Sequence, residues 1–283
     1  MKSTSFLSAF AKINLDLKVL NKRDDGYHNI ESIIVFLNLS DTIKVKRSSK
    51  LSVNFDSPFE ENISQKNNTI IKIYEYFLAN YPNLHKYSIH VDKKIPISAG
   101  LGGGSADAAS FMRFLIKDNN INPNDINLDS IAKRVGADIP VCYTNYSARV
   151  SGLGEHINRV SINFPLYALI VYPNISMSTK WVFENFMNKK TDEKIITLKD
   201  DLSIENLKDS KNDLQDIVVK KYPIINDVID KIKRTRGCII SRMTGSGSTC
   251  FGLYKEHEDT VESEKYLRTI YPNFWIKSVR IKN

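Results

Sequence analysis

The chain has 283 residues, with 40 Lys and Arg against 32 Asp and Glu, a formal net charge of +8. At 42% hydrophobic and 25% charged it can bury enough apolar surface to offset chain entropy, which excludes a disordered protein; 12 Gly and 9 Pro exclude a collagen-like or low-complexity one. The length suits one large domain or two of roughly 100–150 residues each, and the charge fits either an anionic ligand or a solvated lysine-rich surface.

Residues 7–20 alternate. Leu7, Ala9, Ala11, Ile13, Leu15, Leu17 and Val19 share one face, while Lys12, Asn14, Asp16 and Lys18 share the other, which predicts a half-buried strand. Asp24-Asp25-Gly26 signals a turn. Residues 32–39 and 41–46 read as two strands about a further turn. Ile70, Ile73, Tyr74 and Phe77 predict a helix over 69–79, and a strand is expected over 87–91. A glycine-rich loop then leads into a helix over 105–116. Residues 128–135 read as a helix closed by Gly136. Segments 148–150 and 155–160 form a hairpin about Gly152 and Gly154, and 166–172 is a buried strand. Helices follow at 180–188, 213–221 and 224–233, then strands at 238–243, 249–254 and 275–281. The polar segment 189–211 is expected to be the loosest part. The mixture predicts an α+β fold of two domains, 1–160 and 161–283.

Cys142, Cys238 and Cys250 fit neither a disulfide framework nor a zinc pattern, and read as the reduced thiols of a cytoplasmic protein. No apolar run approaches the ~20 residues of a membrane span, and no cleavage-site pattern follows the N-terminal apolar stretch. The densest basic patch, residues 231–236, is short, so a nucleic-acid tail is not indicated.

The strongest chemical signal is the loop Pro96-Ile-Ser-Ala-Gly100-Leu-Gly102-Gly103-Gly104-Ser105-Ala106. Glycines allow unusual φ values and close backbone approach. A helix that starts directly behind them offers free N–H groups and a positive dipole end, a site for phosphate. The loop is not a Walker A sequence, since no Lys follows the last glycine, and it lacks the spacing of a dinucleotide fingerprint. Thr244-Gly245-Ser246-Gly247-Ser248-Thr249 is a second glycine loop, on its own compatible with a plain hairpin turn.

Three blocks, residues 11–15, 96–109 and 244–252, resemble in order the GHMP kinases, the galactokinase, homoserine kinase, mevalonate kinase and phosphomevalonate kinase superfamily. Arg23-Asp24-Asp25-Gly26-Tyr27-His28, Gly136-Ala-Asp138-Ile-Pro140-Val, Gly152-Leu-Gly154-Glu155 and Asn212-Asp213-Leu214 narrow the resemblance to the branch whose substrate carries cytidine diphosphate. The resemblance implies an N-terminal domain like domain 2 of ribosomal protein S5, a ferredoxin-like C-terminal domain, and an active site between them. It implies transfer of the γ-phosphoryl group of ATP to the 2-hydroxyl of a cytidine diphosphate methylerythritol substrate, on the non-mevalonate route to isoprenoid precursors.

The same resemblance implies residue roles. Asp138 would be the general base and Lys12 the cation that keeps it ionised and holds the attacking oxygen. From the residues alone, Asp138 reads as a helix-to-strand turn residue before Pro140 and Lys12 as an exposed strand lysine; the resemblance reverses that balance. Asn14 would orient the substrate hydroxyl. Tyr27 and Phe183 would stack on cytosine, with His28 at the base edge. Thr179, Gly245, Ser246 and Gly247 would line the substrate side; Ser178 and Lys180 stand where the family usually carries prolines. Pro96, Gly100, Leu101, Gly102, Gly103, Gly104, Ser105 and Ala106 would cradle ATP, with Asn68 and Lys93 near its adenosine. Mg2+ is implied by the triphosphate; its protein ligands are not readable from the sequence, and it would be held either with the help of Ser105 or mainly by phosphates and water. The expected partners are the two small molecules, with neither nucleic acid nor membrane, and the protein a monomer or homodimer. A mevalonate or homoserine kinase of the same superfamily is the nearer alternative, a non-catalytic RNA-binding protein the more distant one.

Overall fold

The computed structural model describes residues 4–59, 63–64, 68–162, 167–186 and 204–282. Its elements run β1 (Ser5–Asn14), β2 (Lys18–Lys22), β3 (His28–Ser48), β4 (Ser52–Asp56), α1 (Thr69–Asn80), β5 (Lys86–Asp92), α2 (Gly103–Asp118), α3 (Leu128–Arg134), α4 (Ile139–Thr144), β6 (Ala148–Gly152) and β7 (His156–Arg159). There follow β8 (Tyr167–Tyr172), α5 (Thr179–Glu184), α6 (Ile204–Asp209), α7 (Gln215–Lys221), α8 (Ile224–Lys233), β9 (Ile240–Met243), β10 (Cys250–Tyr254), α9 (His257–Ile270) and β11 (Trp275–Arg280).

The expected turn between 32–39 and 41–46 is absent. Residues 28–48 form one strand that pairs with β1, β2, β5 and β6 and so carries the first sheet. Asp41, expected to open the second of those strands, has its carboxylate buried against the backbone N–H groups of Lys94 and Ile95, so its polarity is satisfied in mid-strand. The sheet order is β4-β5-β3-β6-β7, with β1 and β2 also on β3. The second sheet, β11-β8-β10-β9, is antiparallel throughout.

Three apolar clusters hold these layers together. One lies between the first sheet and α1 to α4, built on Phe36, Val91, Phe77, Phe111 and Ile139. A second joins the two sheets through Ile13, Val35, Leu37, Ile170 and Phe251. A third packs α7, α8 and α9 on the far face of the second sheet through Val218, Val228, Leu267 and Val171. Strand β8 alternates between the last two, so this sheet is covered on both faces. Arg242 of β9 crosses the junction, donating to the carbonyls of Leu15 (3.1 Å) and Leu207 (2.7 Å).

A register shift in the β1–β3 pair between Phe10 and Lys12 positions the site. Before it, Ala9 lies on the helix-covered face; after it, Ala11, Ile13 and Leu15 turn toward the second sheet. Lys12 and Asn14, opposite Phe36 and Ile34, therefore take the helix-covered face. An irregularity of this kind re-aims side chains. The period-two pattern placed these two polar residues on one face, but that face is buried rather than solvated.

Described elements fall where none was expected at β4, α4, α6 and α9, and in a single 3-10 turn at Pro123–Asp125. Of the segment expected to be loosest, 204–209 is α6, while 189–203 lies outside the described residues, as do 187–188 of the helix expected over 180–188.

Candidate active site

A cleft of about 1010 Å³ opens between the glycine loop at the start of α2, the end of β1, the turn before β3, α5 and the β9–β10 turn. At its floor the Lys12 ammonium, on a side chain only 5% exposed, lies 3.0 Å from Asp138 Oδ2 and donates to Asn14 Oδ1 at 2.7 Å. The Asn14 amide donates to Ser32 Oγ (2.7 Å), which donates to the Asp16 carbonyl (2.6 Å), and Asn14 N–H donates to Thr244 Oγ1 (2.7 Å). Every polar group of this row has a partner, so Lys12 and Asn14 are fixed rather than solvated. Burial pushes Asp16, next along the strand, up to about 6.

Asp138 is the residue before α4, and Pro140 sits in that helix's first turn. Proline suits that position because it has no N–H to place there. The Asp138 carboxylate makes no capping bond; its side chain, 40% exposed, faces Lys12 and the cleft. The residue is thus not a helix-to-strand turn; it holds the N-cap position of α4 by its backbone and leaves its side chain to the cleft.

The glycine loop is locked onto Lys12. Lys12 N–H donates to the Leu101 carbonyl at 3.0 Å. Gly102 has φ +69°, and a Cβ there would come within 2.8 Å of Lys12 Cγ. Gly102 is also the residue before α2, and no side chain caps that helix. The first-turn N–H groups of Gly103, Gly104 and Ser105 therefore face the cleft without a capping side chain, the arrangement that favours an anion. The second loop closes against the first: a Cβ on Gly100 would lie 2.7 Å from the Gly247 carbonyl oxygen. Gly245 lies over the Asn14 side chain.

Beside the loop, the Lys93 ammonium is buried between Asp107 (2.7 Å) and Asp41. Burial alone would lower it, but the two carboxylates hold it above its ordinary value. Asp107 is pushed up to about 7 by burial. Asn68 caps α1, accepting from Ile71 N–H at 3.0 Å. Both residues line the cleft while bearing these structural contacts.

At the other end, Tyr27 stands 55% exposed at the tip of the turn before β3. The His28 ring is stacked on Phe183 of α5, with centroids 5.8 Å apart and planes at 27°. Burial, then the charge of Lys22, lowers the His28 pKa below its ordinary 6.5. Thr179 and Ser246 share a hydrogen bond of 2.9 Å, tying α5 to the second loop. Ser178, where the family usually has proline, caps α5 through Trp181 N–H at 3.2 Å.

Of the residues expected in the site, all but Ala106 and Gly247 line this one cleft. Ala106 is spent on the first helical bond, to the Gly102 carbonyl (2.8 Å), and Gly247 backs Gly100. Thr244, Ser32, Asp41 and Asp107 escaped the sequence reading, although Thr244 flanks the second glycine loop and Asp107 lies two residues past Ser105. Among the described residues no cluster of three or more His, Cys, Asp or Glu could hold a metal ion.

Two sequence patterns match this chain: GHMP kinases N terminal domain over residues 68–146 and GHMP kinases C terminal over 194–272. The chain belongs to the GHMP kinases. It is an ATP-dependent phosphotransferase of that family. Similar proteins named 4-diphosphocytidyl-2-C-methyl-D-erythritol kinase include those of Anaplasma marginale, 34% identical over 97% of this chain and 96% of that one, and of a Wolbachia of Brugia malayi, 36% identical over 95% and 96%. The fold superposes on a crystal structure of 4-(cytidine 5'-diphospho)-2C-methyl-D-erythritol kinase with a TM-score of 0.76, 24% identity, and 99% and 100% of the two chains covered. Homoserine kinase from Cytophaga hutchinsonii shares the fold at a TM-score of 0.69, 15% identity, and 100% and 95% coverage. In this GHMP kinase the first matched pattern runs from the cap of α1 through the glycine loop and Asp138 to the end of α4, one wall of the cleft.

Proposed function

We propose that this kinase transfers the γ-phosphoryl group of ATP to the 2-hydroxyl of 4-diphosphocytidyl-2-C-methyl-D-erythritol, giving ADP and the 2-phosphate on the non-mevalonate route to isoprenoid precursors. One observation carries the reading. A single cleft holds the Lys12–Asp138 pair beside the uncapped start of α2 at one end, and the Tyr27, His28 and Phe183 rings at the other. A substrate with a hydroxyl at one end and a nucleobase at the other matches that layout, as do the names of the relatives.

The substrate hydroxyl binds against Asn14 and Lys12, with Asp138 accepting its proton as the new P–O bond forms. The β–γ bridging P–O bond breaks and ADP leaves. Charge and position matter more than base strength in this transfer, because its transition state is loose. The amides of Gly102 to Ser105 face the phosphates of ATP, with Pro96, Gly100, Leu101 and Ala106 shaping that loop. Asn68 and Lys93 border the adenosine side; Thr179, Gly245, Ser246 and Gly247 border the acceptor side. Tyr27 and Phe183 give stacking faces to cytosine and His28 reads its edge.

Mg2+ completes the proposal by neutralising the triphosphate. A hard cation held mainly by phosphates and water, with few protein oxygens, fits a site that offers the Ser105 hydroxyl and, among the described residues, no acidic cluster. The reading divides the chain into 1–160, with the glycine loop, Lys12 and Asp138, and 161–283, with Thr179 and the second loop. It carries a cytoplasmic monomer or homodimer.

ATP consumption measured in parallel with the cytidine diphosphate substrate, mevalonate and homoserine tests the proposal. Turnover with the first alone is expected. Turnover only with mevalonate or homoserine would overturn it, and salt-sensitive RNA binding without any turnover would favour a binding protein.

A further inference from the structure

The turn between β6 and β7 holds the segment Gly152-Leu153-Gly154-Glu155, to which no chemical step above assigns a task. Its Glu155 faces the turn that carries Tyr27, its Gly154 faces the residue before Asp138, and Leu153 lines the cleft. The Glu155 carboxylate is nearly buried, its side chain 8% exposed. Oε2 accepts from Leu153 N–H at 2.5 Å, and Oε1 lies 3.9 Å from the Arg23 guanidinium and 4.0 Å from His156 Nε2. Gly152, at φ +76°, leaves room for this carboxylate, since a Cβ there would lie 2.6 Å from Oε2.

Arg23 in turn closes the loop that presents Tyr27. Its N–H donates to the Tyr27 carbonyl at 2.7 Å, its carbonyl accepts from Gly26 N–H, and its guanidinium reaches Asp25 (3.2 Å) and Asn29 Oδ1 (3.2 Å). At the other end, Gly154 sits so close to the Ala137 carbonyl that a Cβ would approach to 2.9 Å, and Ala137 precedes Asp138. Gly152 also pairs with Ile30 on the strand that begins at His28.

We propose that Glu155 is a positioning residue, and that turn 152–155 is a strut setting the Tyr27–His28 turn at a fixed distance from Asp138. The inference rests on the proposed substrate, because that distance matters only if one molecule spans both ends. A buried carboxylate needs compensation, and here one oxygen accepts from the strut's own backbone while the other faces the guanidinium of the base-binding turn at ion-pair distance, beside His156. Substrate recognition and alignment of the hydroxyl on Asp138 are thereby mechanically joined.

The test compares Glu155→Gln, Arg23→Gln and the double variant with wild type, reading kcat, the KM for the cytidine substrate, the KM for ATP and Tm. Glutamine keeps an acceptor for Leu153 N–H and loses only the charge. Each single variant is expected to raise the KM for the cytidine substrate, Glu155→Gln about fivefold and Arg23→Gln more because it also loses Asp25 and Asn29, and the double variant no further than Arg23→Gln alone, because the Glu155 contact is already lost there. The KM for ATP should not move. Gly154→Ala, which pushes on Ala137, should lower kcat more than it raises that KM. An unmoved KM in both single variants, or a double variant equal to the product of the singles, would overturn the inference while leaving the substrate assignment standing. A wild-type chain that turns over mevalonate or homoserine and not the cytidine substrate would overturn both. Arg23→Gln changes a surface turn, so it carries the test if Glu155→Gln does not fold.

Discussion

At the floor of the cleft, Lys12 and Asn14 are buried in a row of groups joined by contacts of 2.6–3.0 Å that runs from the cleft-facing Asp138 to the Asp16 carbonyl. At the far end Tyr27 is 55% exposed, and His28 and Phe183 meet only through ring faces 5.8 Å apart. The difference follows the chemistry each end is asked to do. Phosphoryl transfer depends on sub-ångström placement of a few atoms, so its groups stand on a strand and a helix start and lock one another. Holding a flat ring requires apolar faces more than exact atoms, so a turn and a short helix suffice.

Breaking the locked end should cost most. Asp138→Ala is expected to lower kcat by about 10²–10⁴-fold with the KM for ATP held, and steady-state kinetics with a near-wild-type kcat would remove Asp138 from the base position. Gly102→Ala tests the lock without touching a charged group. Its Cβ would meet Lys12 Cγ at 2.8 Å on a positive-φ residue, so kcat should fall about 10²-fold. Wild-type rates from that variant would show that Lys12 tolerates displacement. At the looser end, Phe183→Ala should raise the KM for the cytidine substrate about tenfold and spare kcat. A large loss of kcat instead would mean that the two ends are not separable.

The smallest effect is expected from pH. The His28 pKa is lowered, so as pH falls the ring stays neutral down to its ordinary value and protonates only below it. The KM for the cytidine substrate should then stay flat down to about pH 6.5 and change only at more acid values. A KM that already rises with falling pH above that value would contradict the lowered pKa.

Much of the site was legible because its residue types are costly or rare outside such a role. Four glycines in five positions before a helix, and an Asp-Gly-Tyr-His run, stand out from any background pattern. Thr244, Ser32, Asp41 and Asp107 did not stand out, since a threonine, a serine or an aspartate becomes meaningful only when something comes to lie beside it. The same holds for Lys93, which reads as an exposed cation until two carboxylates 52 and 14 residues away in the chain enclose it. In the fold, the helix α9 was missed because its length is mostly polar, and β3 was read as two strands although residues 28–48 run on as one, held by pairing with four other strands.

The sequence by itself determined the α+β class, most strands and helices, the two glycine loops and the residue types that handle phosphate and a nucleobase. Local periodicity and steric preference suffice for these. Tertiary structure decided which face of β1 the site would use, because a register shift against β3 is invisible in either strand alone. It also brought residues 12, 138, 179 and 246 to one cleft. Long-range pairing and packing set those distances, and neither is encoded in any single stretch of the chain.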